Sequence, residues 1–542
     1  MESIEFKNLR AIKNSGELKL SNLNLFLGAN STGKSTILRF FPLIRQTLFR
    51  NNHSPLLWYD AEGVDFGSFK ESVYSKDEKN VLSFAFSFKD VDVEIRDPRT
   101  FIDILDSYSL EKFPYGTRGS YRAHSVIYDG LRKSIKNIIS DVSIKVSINK
   151  DRYTKINVKL DSQIIEFNFE RSYIKINGEV VEQLKDFKLE PLNIYQKIVP
   201  EIVNKKGMSG KIESKNLKDV VKENLSIALF KNINRLISEE NRARFVSSLK
   251  YFGTIDDFKR HNLKKKAPKT LHLNFEKNIE TIYKNYTILT AISLMSSINE
   301  HLEILFKNIS YIAPVRATAE RYYRIQGLSV LDVDSTGANV PMILHGMTHK
   351  QKNDWKNWTK KNFNIEFETF QDGGHIGINV KNQEDSRYNL ADTGFGYSQI
   401  LPVLLVIWKQ INRRKARSSY LNFGYQKIIR PNNFIVIEQP ELHLHPAMQA
   451  QIADLLVTVI SNYPEIQFII ETHSIVIMNR IGQHIEKNNQ SNNPKKLEEK
   501  INIFLVNPLA DEQIDTNITK TSYDSEGIIQ EWPVGFLSGG IL

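Results

Sequence analysis

Cysteine is absent from the 542-residue chain, and the chain contains no long hydrophobic run. The absence of cysteine excludes disulfide bonds, zinc–thiolate sites and cysteine nucleophiles. The longest clearly apolar run, residues 400–408, falls far short of the roughly 20 residues that a membrane-spanning helix requires. Residues 1–10 also lack the apolar core of a signal peptide. These features predict a soluble, cytoplasmic protein without a membrane segment.

Positive charge exceeds negative charge in this sequence. Lysine and arginine total 73 against 62 aspartates and glutamates, which gives a formal net charge of +11. This excess favours an anionic partner such as nucleic acid, although a lysine-rich solvated surface explains it equally well. The same two explanations apply to two basic clusters. One contains Lys264, Lys265, Lys266 and Lys269, and the other contains Arg413, Arg414, Lys415 and Arg417.

The hydrophobic pattern divides the chain into three segments. Residues 1–100 contain several strand-like stretches and one helix that follows a glycine-containing turn. Residues 101–304 begin with stretches that alternate apolar and polar side chains, as in an antiparallel meander, and continue with helical periodicity. Residues 305–542 return to an alternation of strands and helices. We therefore predict one α/β head, formed by the first and third segments, that is split by an inserted domain of β-meander and helices.

A glycine-containing loop between a strand and a helix carries the most specific motif. Residues 28–35 read GANSTGKS and match the pattern G-x-x-x-x-G-K-[ST]. In such a loop the backbone amides and the helix N-terminus face phosphates, Lys34 reaches the β- and γ-phosphates, and the Ser35 hydroxyl ligates Mg²⁺. The motif predicts an ATP and Mg²⁺ site formed by Gly28, Asn30, Ser31, Thr32, Gly33, Lys34, Ser35 and Thr36.

Two later apolar strands end in polar residues that complete a nucleotide site of this kind. Residues 434–437 precede Glu438, whose carboxylate is expected to hold the water molecules around Mg²⁺. The segment PELHLHP, residues 440–446, follows immediately. A second strand, residues 468–470, leads into the sequence Glu-Thr-His-Ser, which contains His473. Each feature is common by itself, but their order after a phosphate loop makes the combination specific.

Together these motifs resemble the SMC/RecF/OLD-like branch of the ABC ATPases, in which a Walker B strand, a PExHLHP segment and a THS histidine recur. The resemblance implies the α/β fold of an ABC-type P-loop NTPase head, with a β-rich N-terminal lobe and a mixed or parallel sheet flanked by helices. It also implies that His473 contacts the γ-phosphate and that Glu438 is the Walker B acid.

A second glycine-rich stretch, residues 392–399, lies where the resemblance places the ABC signature. Its sequence, DTGFGYSQ, differs from LSGGQ but precedes a predicted helix, whose N-terminus suits a phosphate group. In this family the signature of one subunit binds the ATP that another subunit holds. The resemblance therefore implies a homodimer or a higher even-numbered assembly. The expected contact residues are Gly394, Gly396, Ser398 and Gln399.

The residue after Glu438 departs from the family pattern. Related ATPases carry a glutamate there that activates water, whereas this chain carries Gln439. An amide orients water but does not accept its proton, and general-base help is typically worth about 10²–10⁴-fold in rate. We therefore predict slow hydrolysis and a long-lived ATP-bound dimer. Two alternatives stay open, namely that Glu441 serves as the base or that Gln439 is a kinetically neutral variant.

Within this branch the sequence most resembles the Septu-type antiphage ATPases, which are also found attached to some retrons. The resemblance implies a regulatory ATPase that controls a separate effector, an HNH-type nuclease acting in trans. A RecF- or SMC-like repair ATPase that binds DNA directly is the main alternative. A self-contained nuclease is a third hypothesis, although the sequence shows no recognisable nuclease motif.

Overall fold

The protein forms two compact units in its computed structural model. The first comprises Met1–Glu5, Asn51–Pro55 and Val81–Leu302, and the second comprises Phe6–Arg50, Leu56–Asn80 and Glu303–Leu542. The structure describes residues 1–50, 54–92, 138–192, 197–204, 215–231, 233, 236–325, 332–381, 386–418, 433–491, 496–508 and 516–533. No helix in these ranges is long and apolar enough to cross a membrane. The predicted domain boundary near residue 100 lies outside them, and the boundaries stay a prediction.

The N-terminal part of the chain contains three strands and two helices. The strands are β1 (Ser3–Leu9), β2 (Ile12–Lys19) and β3 (Leu23–Leu27), and the helices are α1 (Lys34–Phe49) and α2 (Phe69–Ser72). Every residue of β3 is buried. A strand that is apolar on both faces is typical of the centre of a parallel sheet covered by helices.

An antiparallel sheet dominates the first unit. Six of its eight strands follow one another in chain order: β4 (Leu82–Asp92), β5 (Ile138–Asn149), β6 (Arg152–Leu160), β7 (Gln163–Asn168), β8 (Tyr173–Ile176) and β9 (Glu179–Val180). Alternate residues of β6 are buried, as the period of a half-buried strand requires. Asp161 and Asn177 have φ values of 51° and 50° in the connecting turns, a conformation that these two residue types tolerate. Strands β5 to β9 lie in the segment 101–304, where the sequence predicts the meander, whereas β4 lies in the segment 1–100.

The first unit continues with a small sheet and several helices. The sheet has the antiparallel strands β10 (Leu189–Leu192), β11 (Glu201–Asn204) and β12 (Lys215–Asn216). The helices are α3 (Leu217–Phe230), α4 (Glu239–Ser248), α5 (Ile255–Leu263), α6 (Lys269–Lys277) and the long α7 (Ile279–Lys307), whose residues 303–307 belong to the second unit. The side chains of Asn216, Ser238 and Thr254 accept hydrogen bonds from backbone amides at the starts of α3, α4 and α5. Such caps satisfy amides that have no partner within the helix.

The second unit is built on a six-stranded, mostly parallel sheet. Its strand order is β13 (Ser310–Ile312), β18 (Asn433–Glu438), β19 (Ile466–Glu471), β3, β20 (Ile501–Pro508) and β21 (Thr516–Thr521). All neighbours are parallel except β20 and β21. Because the strands are parallel, the carboxyl ends of β18, β19 and β3 meet at one edge of the sheet. The strand that directly neighbours β3 on this side is β19, and β18 lies one strand further away.

Further elements of the second unit form a small sheet and the flanking helices. The small sheet contains β14 (Tyr323–Arg324), β15 (Glu366–Asp372), β16 (His375–Lys381) and β17 (Arg387–Asn389). The helices are α8 (Val340–His345), α9 (His349–Phe363), α10 (Phe395–Ser418), α11 (Pro446–Asn462) and α12 (Ile475–Gln490). The apolar run 400–408 lies within α10 and is buried in the core with residues of β18 and β19. The expected α/β architecture, an antiparallel sheet together with a mixed sheet flanked by helices, is confirmed.

Candidate nucleotide-binding site

The predicted phosphate loop connects strand β3 to helix α1 in the second unit. Ser31 and Gly33 have φ values of 65° and 95°, so the chain turns through left-handed backbone just before the helix. A Cβ atom on Gly28 would lie 2.2 Å from the carbonyl oxygen of Val506 in the neighbouring strand β20. Only glycine fits this position. Helix α1 begins at Lys34, directly after the turn, so its N-terminal amides lie at the end of the loop, as phosphate binding requires.

Short-range hydrogen bonds close the rest of the loop. The buried Thr32 hydroxyl donates to the carbonyl oxygen three residues earlier at 3.0 Å. The backbone amide of Thr36 donates to the carbonyl oxygen of Gly33 at 3.1 Å. Asn30 and Ser31 are exposed to solvent. Asn30 and Ser31 can therefore contact a nucleotide without a change in the conformation of the loop.

Lys34 and Ser35 point into the site from the first turn of α1. The Lys34 side chain is 3% exposed, and its Nζ donates to the carbonyl oxygens of Gly28 at 3.1 Å and Ala29 at 2.7 Å. Burial lowers the pKa of Lys34, and the nearby carboxylate of Glu471 counteracts that shift. The Ser35 hydroxyl donates to Oε2 of the same glutamate at 2.7 Å. Carbonyl oxygens carry only partial negative charge, so they neutralise the buried Lys34 ammonium incompletely. A bound phosphate group would supply the remaining negative charge.

Two buried glutamates end the neighbouring strands β18 and β19. Glu438 and Glu471 are Cα partners in register, and they are 1% and 3% exposed. Oε1 of Glu438 accepts from Arg39 Nε at 2.8 Å and from the Tyr311 hydroxyl at 2.7 Å, and Oε2 accepts from Arg39 Nη2 at 2.9 Å. A bidentate guanidinium neutralises a carboxylate efficiently. The Walker B acid predicted from the sequence is thus held by an arginine of helix α1 and a tyrosine of strand β13.

Glu471 is the site residue that reasoning from the sequence missed. Its Oε2 accepts from the Ser35 hydroxyl, and its Oε1 lies 3.7 Å from Lys34 Nζ. Burial raises the pKa of Glu471 and the charge of Glu438 adds to this rise, whereas Ser35 and Lys34 counteract it. The available signal was a glutamate at the end of an apolar strand, directly before the Thr-His-Ser sequence.

The oxygen atoms around Ser35 fit a magnesium ion. The described part of the chain contains no group of three or more His, Cys, Asp or Glu side chains that could hold a metal ion. A phosphate-loop site needs fewer protein ligands, because phosphate oxygens and water complete the coordination of Mg²⁺. Octahedral Mg²⁺ with Mg–O distances of about 2.0–2.1 Å places adjacent ligand oxygens about 2.9 Å apart. The separation of 2.7 Å between Ser35 Oγ and Glu471 Oε2 matches that spacing.

The turns that follow β18 and β19 are bonded to each other. The amide of Gln439, a residue with φ of 46°, donates to the carbonyl oxygen of Glu471 at 2.8 Å. Glu441 accepts from the Thr472 hydroxyl at 2.9 Å and from the amide of His473 at 2.6 Å. Burial raises the pKa of Glu441 and lowers the pKa of His473, so the imidazole favours its neutral form. Glu441 therefore fixes the turn that carries the predicted γ-phosphate contact.

A buried arginine supports the turn that follows β18. Nη2 of Arg316 donates to the carbonyl oxygens of Glu438 at 2.9 Å and Gln439 at 3.1 Å. Burial lowers the pKa of Arg316 to about 10. Within the described residues its Nε and Nη1 atoms have no hydrogen-bond partner. The positively charged Arg316 guanidinium therefore contacts the backbone of Gln439, which stands at the position where the resemblance implies a catalytic glutamate.

The predicted signature segment lies at the start of helix α10. Gly394 immediately precedes the helix and is exposed, whereas Ser398 and Gln399 are buried. The Ser398 hydroxyl donates to the carbonyl oxygen three residues earlier at 2.8 Å. A Cβ atom on Gly396 would lie 3.4 Å from the carbonyl oxygen of His443, in the PELHLHP turn. The contacts of these four residues with the ATP of a partner subunit stay a prediction.

The two basic clusters differ in what the structure describes. Lys264 and Lys266 are exposed at the end of helix α5. Arg413 forms an ion pair with Asp332. The side chains of Arg414, Lys415 and Arg417 lie outside the described residues. Binding of nucleic acid by either cluster stays a prediction.

Comparisons with known proteins show one protein family and several similar solved structures. The family model described as AAA ATPase domain matches residues 1–478. No curated protein shows significant similarity to the chain.

An SMC head domain from Thermotoga maritima is 9% identical, with a TM-score of 0.34 and coverage of 96% of this chain and 97% of that chain. The Smc head domain from Pyrococcus furiosus, crystallised with an extended coiled coil bound to the C-terminal domain of ScpA, is 12% identical, with a TM-score of 0.31 and 96% coverage of both chains. The Smc head domain from Pyrococcus yayanosii, with a coiled coil and joint, is also 12% identical, with a TM-score of 0.31 and 97% coverage of both chains.

Proposed function

We propose that the chain, which belongs to the AAA ATPase domain family and is therefore an ATPase, is a slowly hydrolysing switch that dimerises around ATP. The loop 28–35 binds the triphosphate, Lys34 contacts its β- and γ-phosphates, and His473 contacts the γ-phosphate. The Ser35 hydroxyl ligates Mg²⁺, and Glu438 holds water around the ion. The observation that carries these assignments is the convergence of the Lys34 ammonium and the Ser35 hydroxyl on the strand-end carboxylate of Glu471.

Nucleotide binding by this loop is tested with a fluorescent ATP analogue. Lys34→Ala removes the only charged side chain of the loop and should weaken binding at least tenfold, because a charge-assisted contact to phosphate is worth about 1.5–3 kcal/mol. Lys487→Ala is the matched control, since Lys487 is exposed on helix α12 of the same unit. Equal affinities of the two variants would exclude the loop as the phosphate site.

Slow hydrolysis follows from the amide at position 439. Gln439→Glu restores a general base beside the predicted Mg²⁺ site and should raise ATP turnover by about 10²-fold, at the lower end of what such a base contributes. Glu441→Ala and Glu441→Gln distinguish whether Glu441 is the general base or only fixes the turn. The glutamine variant retains one side-chain acceptor for the Thr472 hydroxyl or the His473 amide. If Glu441 is the base, both variants lose turnover. If it only fixes the turn, glutamine preserves most of the activity. A Gln439→Glu variant no faster than the wild type contradicts the slow-hydrolysis hypothesis.

Dimerisation is supported by the exposure of Gly394 at the start of helix α10. This position can face the phosphates of a second subunit, and the other expected contact residues, Gly396, Ser398 and Gln399, follow it in the first turns of the helix. Light scattering coupled to size-exclusion chromatography should show a larger species with ATP and not without it. Gly394→Glu should abolish that species through charge repulsion while each subunit still binds the ATP analogue. ATP binding without any change in mass would count against the dimer.

The resemblance to Septu-type ATPases supports the finer hypothesis that this ATPase regulates a separate HNH-type nuclease in antiphage defence. Co-purification with an HNH protein encoded beside it, followed by nuclease assays with and without ATP, tests this role. ATP-dependent control of cleavage by the complex is the expected outcome. Salt-sensitive DNA binding by the isolated chain would instead favour a RecF-like repair ATPase, because phosphate contacts release counterions. Metal-dependent cleavage by the isolated chain would favour a self-contained nuclease.

A further inference from the structure

The two strand-end carboxylates differ in what they contact. Glu438 is bonded through both oxygens to the Arg39 guanidinium and additionally to the Tyr311 hydroxyl. In the described part of the chain Glu471 has no such guanidinium bond, and its oxygens face the Ser35 hydroxyl and the Lys34 ammonium. The two glutamates therefore offer different amounts of negative charge to a cation. The Arg39 guanidinium donates two short hydrogen bonds to Glu438, whereas the Lys34 ammonium lies 3.7 Å from Glu471 and neutralises it less completely.

Strand order explains this difference. Strand β19 directly neighbours β3, which leads into the phosphate loop, whereas β18 lies on the far side of β19. Neighbouring strands are separated by about 4.8 Å, so the carboxylate at the end of β18 begins one strand spacing further from the loop. Glu438 and Glu471 lie in register, so a shift along the strands does not compensate for that extra spacing. The carboxylate closest to the loop is that of Glu471.

We propose that Glu471 is a direct carboxylate ligand of Mg²⁺, adjacent to the Ser35 hydroxyl, whereas Glu438 reaches the ion only through water. The proposal rests on the proposed function and names the inner metal ligand of that site. The separation of 2.7 Å between Ser35 Oγ and Glu471 Oε2 is close to the about 2.9 Å between adjacent oxygens of an Mg²⁺ octahedron. A bound Mg²⁺ would be held by Ser35 Oγ and Glu471 Oε2 in place of their mutual hydrogen bond, and Lys34 would be available to the phosphates.

The first experiment measures how much Mg²⁺ the protein needs to bind a non-hydrolysable ATP analogue. Glu471→Gln preserves size and removes the charge, and it should raise the Mg²⁺ concentration for half-maximal binding tenfold or more. Glu471→Asp retains the charge and should recover part of the affinity. Glu526→Gln, a change at an exposed carboxylate in the turn after β21, should have no effect. Thermal unfolding of each variant confirms that it is folded.

The second experiment detects the metal itself. With the ATP analogue present, Mn²⁺ titration followed by electron paramagnetic resonance should show at least tenfold weaker binding to Glu471→Gln than to the wild type. If Ser35 and Glu471 ligate one ion, the losses caused by Ser35→Ala and Glu471→Gln should not add in the double variant. Glu438→Gln should change Mn²⁺ affinity less than Glu471→Gln does.

Three outcomes would overturn the assignment. The first is an unchanged Mg²⁺ requirement of Glu471→Gln, and the second is a larger effect of Glu438→Gln. The third is an equal loss of nucleotide affinity with Mg²⁺ and with EDTA, which would show that Glu471 only positions Lys34. Each of these outcomes requires a wild-type protein that binds the ATP analogue and so differs from failure of the proposed function. That failure would appear as a wild-type protein that does not bind the ATP analogue at any Mg²⁺ concentration.

Discussion

Replacing Arg39 by methionine isolates the cation that holds the Walker B glutamate. Arg39 donates two hydrogen bonds to Glu438, at 2.8 and 2.9 Å, and the hydrogen bonds to this carboxylate raise the pKa of the guanidinium. Two charge-assisted bonds of about 1.5–3 kcal/mol each set a ceiling near 3–6 kcal/mol. The Arg39 side chain is 35% exposed, so water substitutes for part of this interaction, and the Tyr311 hydroxyl bond survives. We therefore expect a loss of about 2–3 kcal/mol in unfolding free energy.

Urea unfolding followed by tryptophan fluorescence is the appropriate assay. All five tryptophans, including the buried Trp355 and Trp408, belong to the second unit, so the signal reports the unit that contains the pair. Arg50→Met is the matched control: this arginine bonds two carboxylates but is 48% exposed, and its loss should cost less than about 1 kcal/mol. The reasoning is refuted if both variants lose the same stability. It is also refuted if Arg39→Met and Glu438→Gln are fully additive, because residues that share a bond must couple.

Two further predictions concern the loop and a peripheral ion pair. Gly28→Ala places a Cβ 2.2 Å from the Val506 carbonyl oxygen, so it should cost about 1–3 kcal/mol in urea unfolding and weaken binding of the ATP analogue. If Gly28→Ala matched the wild type in stability and in binding of the ATP analogue, strand β20 would have to shift without a cost in free energy. Burial raises the pKa of Glu366, but ion pairs with Lys356 at 3.0 Å and Lys360 at 2.7 Å outweigh it and leave the pKa lowered. Its contribution, about 1 kcal/mol after allowance for exposed lysines, is present above the ordinary carboxyl pKa and is lost as pH falls through the lower folded value. The stability difference between wild type and Glu366→Gln should therefore be full at pH 7 and shrink as the pH falls below the ordinary carboxyl pKa.

The phosphate loop could be predicted because its chemistry lies in eight consecutive residues. Gly28 and Gly33 permit the turn, and Lys34 and Ser35 provide the charge and the hydroxyl in the first turn of the following helix. The α/β fold and the ATPase assignment, both expected from these local motifs, are confirmed. The regulated nuclease and the role in antiphage defence stay proposals, because partners are recognised by surfaces that no short motif of this chain defines.

What the sequence alone determined is the set of local elements, which follow from residue type and spacing: strands, helix starts and the loop that faces phosphates. What only the tertiary structure decided is which acidic residue meets the loop. Ser35 and Glu471 are separated by 436 positions in the chain, and they touch because strand β19 inserts between β18 and β3. Because β19 lies between them, Glu438 is further from the loop, and it binds the guanidinium of Arg39 instead. Strand order depends on the burial of the whole apolar core, so no motif that is read along the chain contains it.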